Sequence, residues 1–134
     1  MIVDTSAIVA ILRGEPEARK FAEAIAGAID PRVSAVNFVE AAEVIDSARN
    51  PVASRRFDDF MLEAQLAIMP VTAEQARIAR EAYRDFGKGS GHAAGLNFGD
   101  CFAYALARAM GEPILFKGDD FSQTDLAPAL PRGG

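Results

Sequence analysis

The chain has 134 residues, with 14 Lys and Arg against 19 Asp and Glu, so its formal charge at neutral pH is −5. Half of the residues are apolar and a quarter are charged, which excludes disordered and collagen-like chains and fits one globular domain. No apolar run approaches the ~20 residues of a membrane span. Asp4 follows an N-terminus without Lys or Arg, unlike a secretory signal, so we expect a cytoplasmic protein with no membrane association.

The counts of cysteine and histidine restrict the chemistry. Cys101 is the single cysteine and His92 the single histidine. A disulfide framework, a cysteine-based zinc site and paired-histidine catalysis are therefore excluded. Acid–base or metal chemistry must rest on carboxylates. The acidic balance also argues against a simple basic nucleic-acid binder, because Lys and Arg usually dominate affinity for phosphate.

In the first half of the chain, apolar spacing and turn residues predict short strands alternating with helices. In chain order we expect strand Ile2–Val3, helix Thr5–Leu12, a helix with Pro16 in its first turn that ends near Gly27, strand Arg32–Ala35, and a helix from an Asn37 N-cap to Arg49, closed by Asn50 and Pro51.

The second half continues the alternation. We expect a helix carried by Phe57, Phe60, Met61 and Ala64, strand Ala67–Val71 at an edge or end because of Pro70, a helix that starts with a Thr72–Gln75 capping box and stops at Gly87, helix Phe98–Met110 with Gly111 as C-cap, and strand Ile114–Phe116.

Four short strands separated by helices predict an α/β fold, with a mainly parallel sheet sandwiched by helices. Such sheets place their sites at the carboxyl ends of the strands. We assign residues 1–126 to one domain. Residues 127–134, with two prolines and a Gly-Gly end, are predicted to be a loosely held C-terminal tail.

Acidic residues fall repeatedly at that edge of the predicted sheet. Asp4 directly follows the first strand, and Glu40 lies in the first turn of the helix after the second strand. Asp100 lies in the first turn of the helix after a glycine-rich loop. Asp119 and Asp120 follow the last strand. The topology therefore brings these carboxylates toward one edge.

Taken singly, most of these acids have a plain structural interpretation, because carboxylates often stabilise helix N-termini and turns. That interpretation suits Glu40 and either of Asp119 and Asp120, but less so Asp4 and Asp100, which stand in apolar surroundings. Converging carboxylates repel one another unless a cation neutralises them. An all-oxygen site suits Mg²⁺ or Mn²⁺, which activates water for phosphodiester hydrolysis.

Four segments carry a family resemblance at the level of residues: 1–7 (MIVDTSA), 34–40 (SAVNFVE), 97–101 (NFGDC) and 116–121 (FKGDDF). Together they resemble the PIN-domain ribonucleases, specifically VapC-like toxins of toxin–antitoxin pairs. The likeness extends over residues 1 to about 126. It includes 87–89 (GKG), His92 and 95–97 (GLN), a linker typical of one VapC-like branch.

The resemblance implies a site and partners. Asp4 and Asp100 would be the principal metal ligands, with Glu40 completing the cluster and Asp120, rather than Asp119, as the fourth acid. It implies a Mg²⁺-dependent endoribonuclease, with Mn²⁺ as a substitute, that hydrolyses structured RNA, often transfer RNA, with a metal-activated water. It further implies a homodimer and a VapB-like antitoxin whose C-terminal segment covers the site.

The negative charge is concentrated in the cluster. Without these four acids the formal charge would be −1 rather than −5, so the remaining surface is nearly neutral. Contact with RNA would then depend on local cations. The candidates are Arg13, Arg84, Lys88 and Lys117.

Other residues near these motifs have structural interpretations that compete with functional ones. Thr5 and Ser6 either orient Asp4 or cap the first helix, and Asn97 is a helix cap. Plain roles are also expected for loop residues Lys88 and His92, for Cys101 as a buried apolar side chain, for Glu43 as a solvated or dimer-facing acid, and for Phe57, Phe60 and Met61 as core or dimer contacts.

Two alternatives remain at this stage. An Asp at a strand end, a further Asp and Lys117 resemble the site of a receiver-like phosphoacceptor, although receivers carry an acidic pair after the first strand, where Asp4 stands alone. A catalytically silent protein-binding module is the other alternative. The presence of all four acids argues against it.

Overall fold

The computed structural model describes residues 1–131. Within this range no helix combines the length and apolarity of a membrane span. The elements in chain order are β1 (Ile2–Val3), α1 (Thr5–Leu12), α2 (Ala18–Gly27), β2 (Arg32–Ser34), α3 (Ala35–Asp46), α4 (Pro51–Glu63), β3 (Ala67–Met69), α5 (Ala73–Phe86), α6 (Phe98–Met110), β4 (Ile114–Leu115) and a 3₁₀ turn at Phe121–Gln123.

The four strands form one parallel sheet in the order β3-β2-β1-β4. Ile2 pairs with Arg32 on one side and with Ile114 on the other. All four carboxyl ends therefore lie along the same edge, and β1 is central. The predicted α/β fold with a parallel sheet is confirmed.

Each face of the sheet supports its own core, because successive strand residues point to opposite faces. Ile2 and Ile114 pack with side chains of α5 and α6, whereas Val3 and Leu115 pack with side chains of α1 to α4. Phe57 is buried in the second core, with Phe60 and Met61 packed against it, so this predicted stripe is a core contact. The sheet is thus held between two helical layers.

The predicted N-cap role of Asn37 is wrong. Helix α3 begins at Ala35, directly after β2, with Ser34 at the N-cap position, and it ends at Asp46 rather than Arg49. Strand and helix share no linker, so Asn37 falls inside the first turn. There it is fully buried.

Two proline positions also differ from the prediction. Asn50 and Pro51 close the α3 region as expected, but they also begin α4: the Asn50 side chain accepts a hydrogen bond from Val52 N–H, and Pro51 occupies the first helical position. Helix α2 begins at Ala18, so Pro16 precedes it instead of lying in its first turn.

Strand and cap signals are mostly accurate. Strand β3 lies at the sheet edge, as Pro70 predicts, and ends one residue before it. Thr72 Oγ1 accepts from Gln75 N–H at 3.1 Å, but Gln75 Oε1 has no hydrogen-bond partner, so only half of the predicted capping box forms. Gly111 ends α6 with a φ of 65°, the left-handed conformation expected of a glycine C-cap.

The tail differs from the loosely held segment expected after residue 126. Ile114 N–H donates to Ala127 O at 3.1 Å, and Ala129 N–H donates to Ile114 O at 2.8 Å. Leu130 packs against the second core. Residues 127–129 therefore form an isolated parallel bridge with Ile114 of β4, while the expectation for 132–134 lies outside the described residues.

Candidate active site

Asp4 connects the end of the central strand to the start of a helix. Its backbone N–H donates to Leu115 O at 2.9 Å, which continues the β1–β4 ladder by one residue. Its side chain is the N-cap of α1 and accepts from Ser6 N–H at 3.0 Å and from Ser6 Oγ at 2.6 Å. Both bonds reach Oδ2, so Oδ1 stays buried with no hydrogen-bond partner.

Ser6 links Asp4 to the segment after β4. While its hydroxyl donates to Asp4, the Ser6 Oγ accepts from Lys117 N–H at 2.9 Å. The chain leaving β4, which carries Asp120, is thereby attached to the first turn of α1. Of the two interpretations of Ser6, the structure shows contact with Asp4, and the cap itself is Asp4.

Asp100 is held by a reciprocal capping box in the first turn of α6. Asp100 N–H donates to Asn97 Oδ1 at 2.9 Å, and Asn97 N–H donates to Asp100 Oδ2 at 3.0 Å. The cap predicted for Asn97 is confirmed. The box fixes one carboxylate oxygen of Asp100 and determines which way the side chain faces.

Glu40 lies against the first turn of α6. A Cβ atom added to Gly99 would overlap both carboxylate oxygens of Glu40, so the acid rests directly on the backbone next to Asp100. Glu40 is half-buried. A side chain at position 99 would therefore displace the Glu40 carboxylate from this place.

Asp120 and Asp119 occupy different surroundings. The charge of Asp120 contributes to raising the pKa of Asp100, so Asp120 lies near enough to act on it electrostatically. Asp119 instead lines a groove with Lys20, Phe21 and other residues beside the C-terminal tail. Both acids are exposed.

Asp4 and Asp100, the two buried acids of the site, are hard to ionise. Burial, with a smaller contribution from the charge of Glu40, raises the pKa of Asp4 to about 6 despite the bonds from Ser6. Burial and the charge of Asp4 raise the pKa of Asp100 to about 7. Asp4 and Asp100 are only 2% and 9% exposed. The charges that raise these two pKa values are those of neighbouring carboxylates, so near neutral pH a cation would be needed to hold both acids ionised.

The donor set fits a hard divalent cation bound in part by water. Asp4 Oδ1 is buried and has no hydrogen-bond partner, so its lone pairs are free to bind a cation. The negative charge of Asp4 also opposes the ionisation of Asp100. In residues 1–131, no three acidic, histidine or cysteine side chains converge closely enough to enclose an ion. Mg²⁺ commonly binds through one or two carboxylates and keeps several waters, so two protein ligands suffice.

Asn37 is the polar residue whose place in the site the sequence did not reveal. Its side chain donates to Thr5 Oγ1 at 3.2 Å and to Gly99 O at 3.0 Å, although both partners are distant in sequence. Its position among apolar residues of α3, three before Glu40, is the signal that a cap interpretation overlooks.

The remaining candidates keep structural roles. Cys101 is buried, which raises the pKa of its thiol to about 11 and leaves no reactive thiolate. His92 accepts from Ala94 N–H through Nδ1 and packs edge-on against Phe86, so it shapes the glycine-rich loop. Glu43 is exposed.

Two of the cations expected to contact RNA already have acidic partners. Lys117 pairs with Glu15 and Glu17 at 2.9 and 3.4 Å, and Arg84 pairs with Asp85 at 2.9 Å. Arg13 and Lys88 lie at the surface as well. These pairs weaken the case for Lys117 and Arg84 as free phosphate contacts.

Comparison with known proteins places this chain in a family. The PIN domain family model matches residues 1–126. Ribonuclease VapC28 of Mycobacterium tuberculosis is 55% identical over 132 residues, covering 98% of this chain and 99% of that protein. The chain belongs to the VapC group of PIN-domain proteins. The resemblance drawn from the four sequence segments is confirmed.

Solved structures agree on the fold of this VapC-group chain. The crystal structure of Mycobacterium tuberculosis VapC20, described as a Sarcin-Ricin loop cleaving toxin, superposes with a TM-score of 0.76 at 18% identity and covers 97% of this chain and 98% of that one. VapBC2 from Rickettsia felis, bound to a promoter DNA fragment, gives 0.72 at 15% identity, covering 95% and 94%. These likenesses show the shared architecture.

Proposed function

We propose that this chain is a metal-dependent endoribonuclease toxin that hydrolyses phosphodiester bonds in structured RNA, such as transfer RNA. The observation that carries the proposal is the buried, unpartnered Oδ1 of Asp4 beside Asp100, both with raised pKa values. Two acids that oppose each other's ionisation are a cost to the fold unless a cation binds there. Relatives named as ribonucleases over the whole chain support the reaction class.

The chain's own residues have distinct roles in this proposal. Asp4 and Asp100 would hold a Mg²⁺ ion, or Mn²⁺ in its place, and Ser6 and Asn97 keep the two carboxylates oriented. Glu40 adds negative charge at the opening, with Asp120 as the fourth acid. When bound, the ion would activate water for in-line attack and stabilise charge on the leaving oxygen.

We further propose a VapB-like antitoxin and an RNA substrate as partners, both met in the cytoplasm. A solved VapBC complex with the same architecture supports an antitoxin partner. An antitoxin segment that covers the acidic edge would need a cation to face the carboxylates. Arg13 and Lys88 are better candidates for contact with RNA than Lys117 and Arg84, which already form ion pairs.

A homodimer is also proposed, with the apolar face between α5 and α6 as the contact between copies. Phe98 is 70% exposed and Tyr83 52% exposed, next to Ala76, Ala79 and Phe102. Exposed aromatic side chains grouped on one face are typical of protein interfaces. In a single copy this face remains open to solvent at Phe98 and Tyr83.

The direct test is incubation of the purified chain with bulk transfer and ribosomal RNA. We expect cleavage that stops with EDTA, returns with Mg²⁺ or Mn²⁺, and returns poorly with Ca²⁺, which is larger and a weaker activator of water. Because the single histidine leaves no acid–base pair for attack by the 2′-hydroxyl, the products should carry 5′-phosphate and 3′-hydroxyl ends.

His92→Ala is the matched control, since His92 moves no proton in this proposal and should retain activity within about twofold. Products with 2′,3′-cyclic phosphate, or activity that survives EDTA and is lost in His92→Ala, would contradict the proposal. Phosphorylation of Asp4 by a small phosphodonor would instead favour a receiver-like protein. Antitoxin binding without any cleavage would favour a silent binding module.

A further inference from the structure

Asn37 links the three segments that carry Asp4, Asp100 and Glu40. Its side-chain amide is fully buried and donates to Thr5 Oγ1 at 3.2 Å and to Gly99 O at 3.0 Å. Thr5 directly follows Asp4, and Gly99 directly precedes Asp100. One amide thus spans the start of α1, the start of α6 and its own helix α3.

The bonds require an amide donor at this position. Thr5 Oγ1 donates its hydrogen to Asn37 O at 3.2 Å, so it can only accept from the Asn37 side chain. Gly99 O is a carbonyl and also accepts. Both partners are therefore acceptors. The NH₂ group of Asn37 donates one hydrogen to each, which an apolar side chain cannot do.

The same helix face positions Glu40. Asn37 and Glu40 are three residues apart on α3 and therefore neighbours on its surface. Glu40 rests on Gly99, whose carbonyl Asn37 holds. The first turn of α6 is thus fixed against α3 by a hydrogen bond, and the Glu40 carboxylate packs against Gly99 beside it.

We infer that Asn37 is a positioning residue that sets the separation of Asp4 and Asp100, and so the affinity of the site for its ion. The inference rests on the proposed metal-dependent function. Residues that orient metal ligands from behind typically change metal affinity or activity by 10- to 100-fold when removed. Asn37 touches neither the ion site nor substrate and acts through the backbone beside each acid.

The experiment measures Mn²⁺ binding to the full chain by calorimetry without RNA, together with the melting temperature in EDTA. The test variants are Asn37→Leu, which keeps the branched shape and the number of heavy atoms but removes the donors, and Asn37→Ser, which keeps one hydroxyl donor. We expect Asn37→Leu to weaken Mn²⁺ binding by roughly 10- to 100-fold and Asn37→Ser by less. Thr5→Val should add little to Asn37→Leu, because both break the same link.

Two variants away from the site control for general loss of stability. Asn50→Ala removes the α4 cap, and Ile25→Val removes a methylene group from the core beneath α2. Both should lower the melting temperature and leave Mn²⁺ affinity unchanged. Asn37→Leu with the same affinity as the wild type would overturn the inference; if that variant fails to fold, unchanged affinity in Asn37→Ser would do so.

The two proposals fail in different ways. Absence of Mn²⁺ binding by the wild-type chain would contradict the metal-dependent function and, with it, the inference. Tight binding by the wild type and by every Asn37 variant would contradict the inference alone.

Discussion

The inner and outer acids of the site differ in how the fold treats them. Asp4 and Asp100 are buried, each is bonded through one oxygen to a neighbouring residue of its own helix start, and burial raises both pKa values. Glu40 is half-buried and Asp120 is exposed. We call Asp4 and Asp100 the inner pair and Glu40 and Asp120 the outer pair. The inner pair is buried and fixed by hydrogen bonds, whereas the outer pair is more exposed to solvent.

This difference separates two uses of a carboxylate. A buried, oriented acid offers a fixed oxygen to a cation, but it destabilises the fold when no cation is bound. An exposed acid contributes charge at lower cost, because water screens it. We therefore expect removal of inner and outer acids to have different effects on both activity and stability.

Asp100→Asn should give the largest effect. A divalent ion supplies several kcal/mol of transition-state stabilisation, so loss of one of its two ligands should lower RNA cleavage by on the order of a thousandfold. In EDTA the melting temperature should stay the same or rise, because Asn keeps an oxygen for the Asn97 bond without the opposed charge. A substantial drop in EDTA would instead identify Asp100 as a structural cap only.

The outer acids should give a smaller effect that distinguishes adjacent residues. Asp120→Asn should lower cleavage by roughly 10- to 100-fold, and Asp119→Asn by less than about twofold. The reason is that Asp120 acts on Asp100, while Asp119 lines the groove beside the tail. Cleavage assays at saturating Mg²⁺ compare the two directly, and equal losses or the reverse order would show that the fourth acid is misassigned.

The smallest effect is on stability as pH changes. The pKa of Asp100 lies near 3.8 in the unfolded chain and about 7 in the folded protein, so the folded state binds more protons between these values. Stability contributed by protonated Asp100 is therefore lost as pH rises from about 4 to 7. Asp4 has the same sign over pH 4 to 6.

Urea unfolding in EDTA at a series of pH values measures this effect. Asp100→Asn should match the wild type near pH 4 and become the more stable protein by pH 7.5. The difference between the two removes the contribution of carboxylates that do not interact with Asp100. Wild-type protein that gains stability relative to Asp100→Asn as pH rises would contradict the raised pKa.

Local sequence signals predicted the fold and the edge at which the acids lie. Asp4 ends an apolar strand and Asp100 follows a cap residue, so alternation of strands and helices was enough to bring them to one edge. Asn37 was misinterpreted because its partners, Thr5 and Gly99, are 32 and 62 residues away. A cap and a buried bridge look the same in sequence when only neighbouring residues are considered.

The burial of the inner acids was likewise beyond the sequence. Apolar neighbours hinted that Asp4 and Asp100 would be enclosed, but which oxygen is bonded and which is left free depends on Ser6, Asn97 and the chain after β4. The paired tail is another tertiary feature. Its prolines and glycines indicate a loop, and its attachment depends on the open side of β4.

That attachment has a consequence for how the protein behaves in concentrated solution. Strand β4 lies at one end of the sheet, where unpaired backbone groups invite pairing with another chain. Ala127 and Ala129 occupy the backbone groups of Ile114, and the short β3, followed by Pro70, protects the opposite end. A chain trimmed to the family match at residue 126 would expose the β4 side and be prone to aggregate.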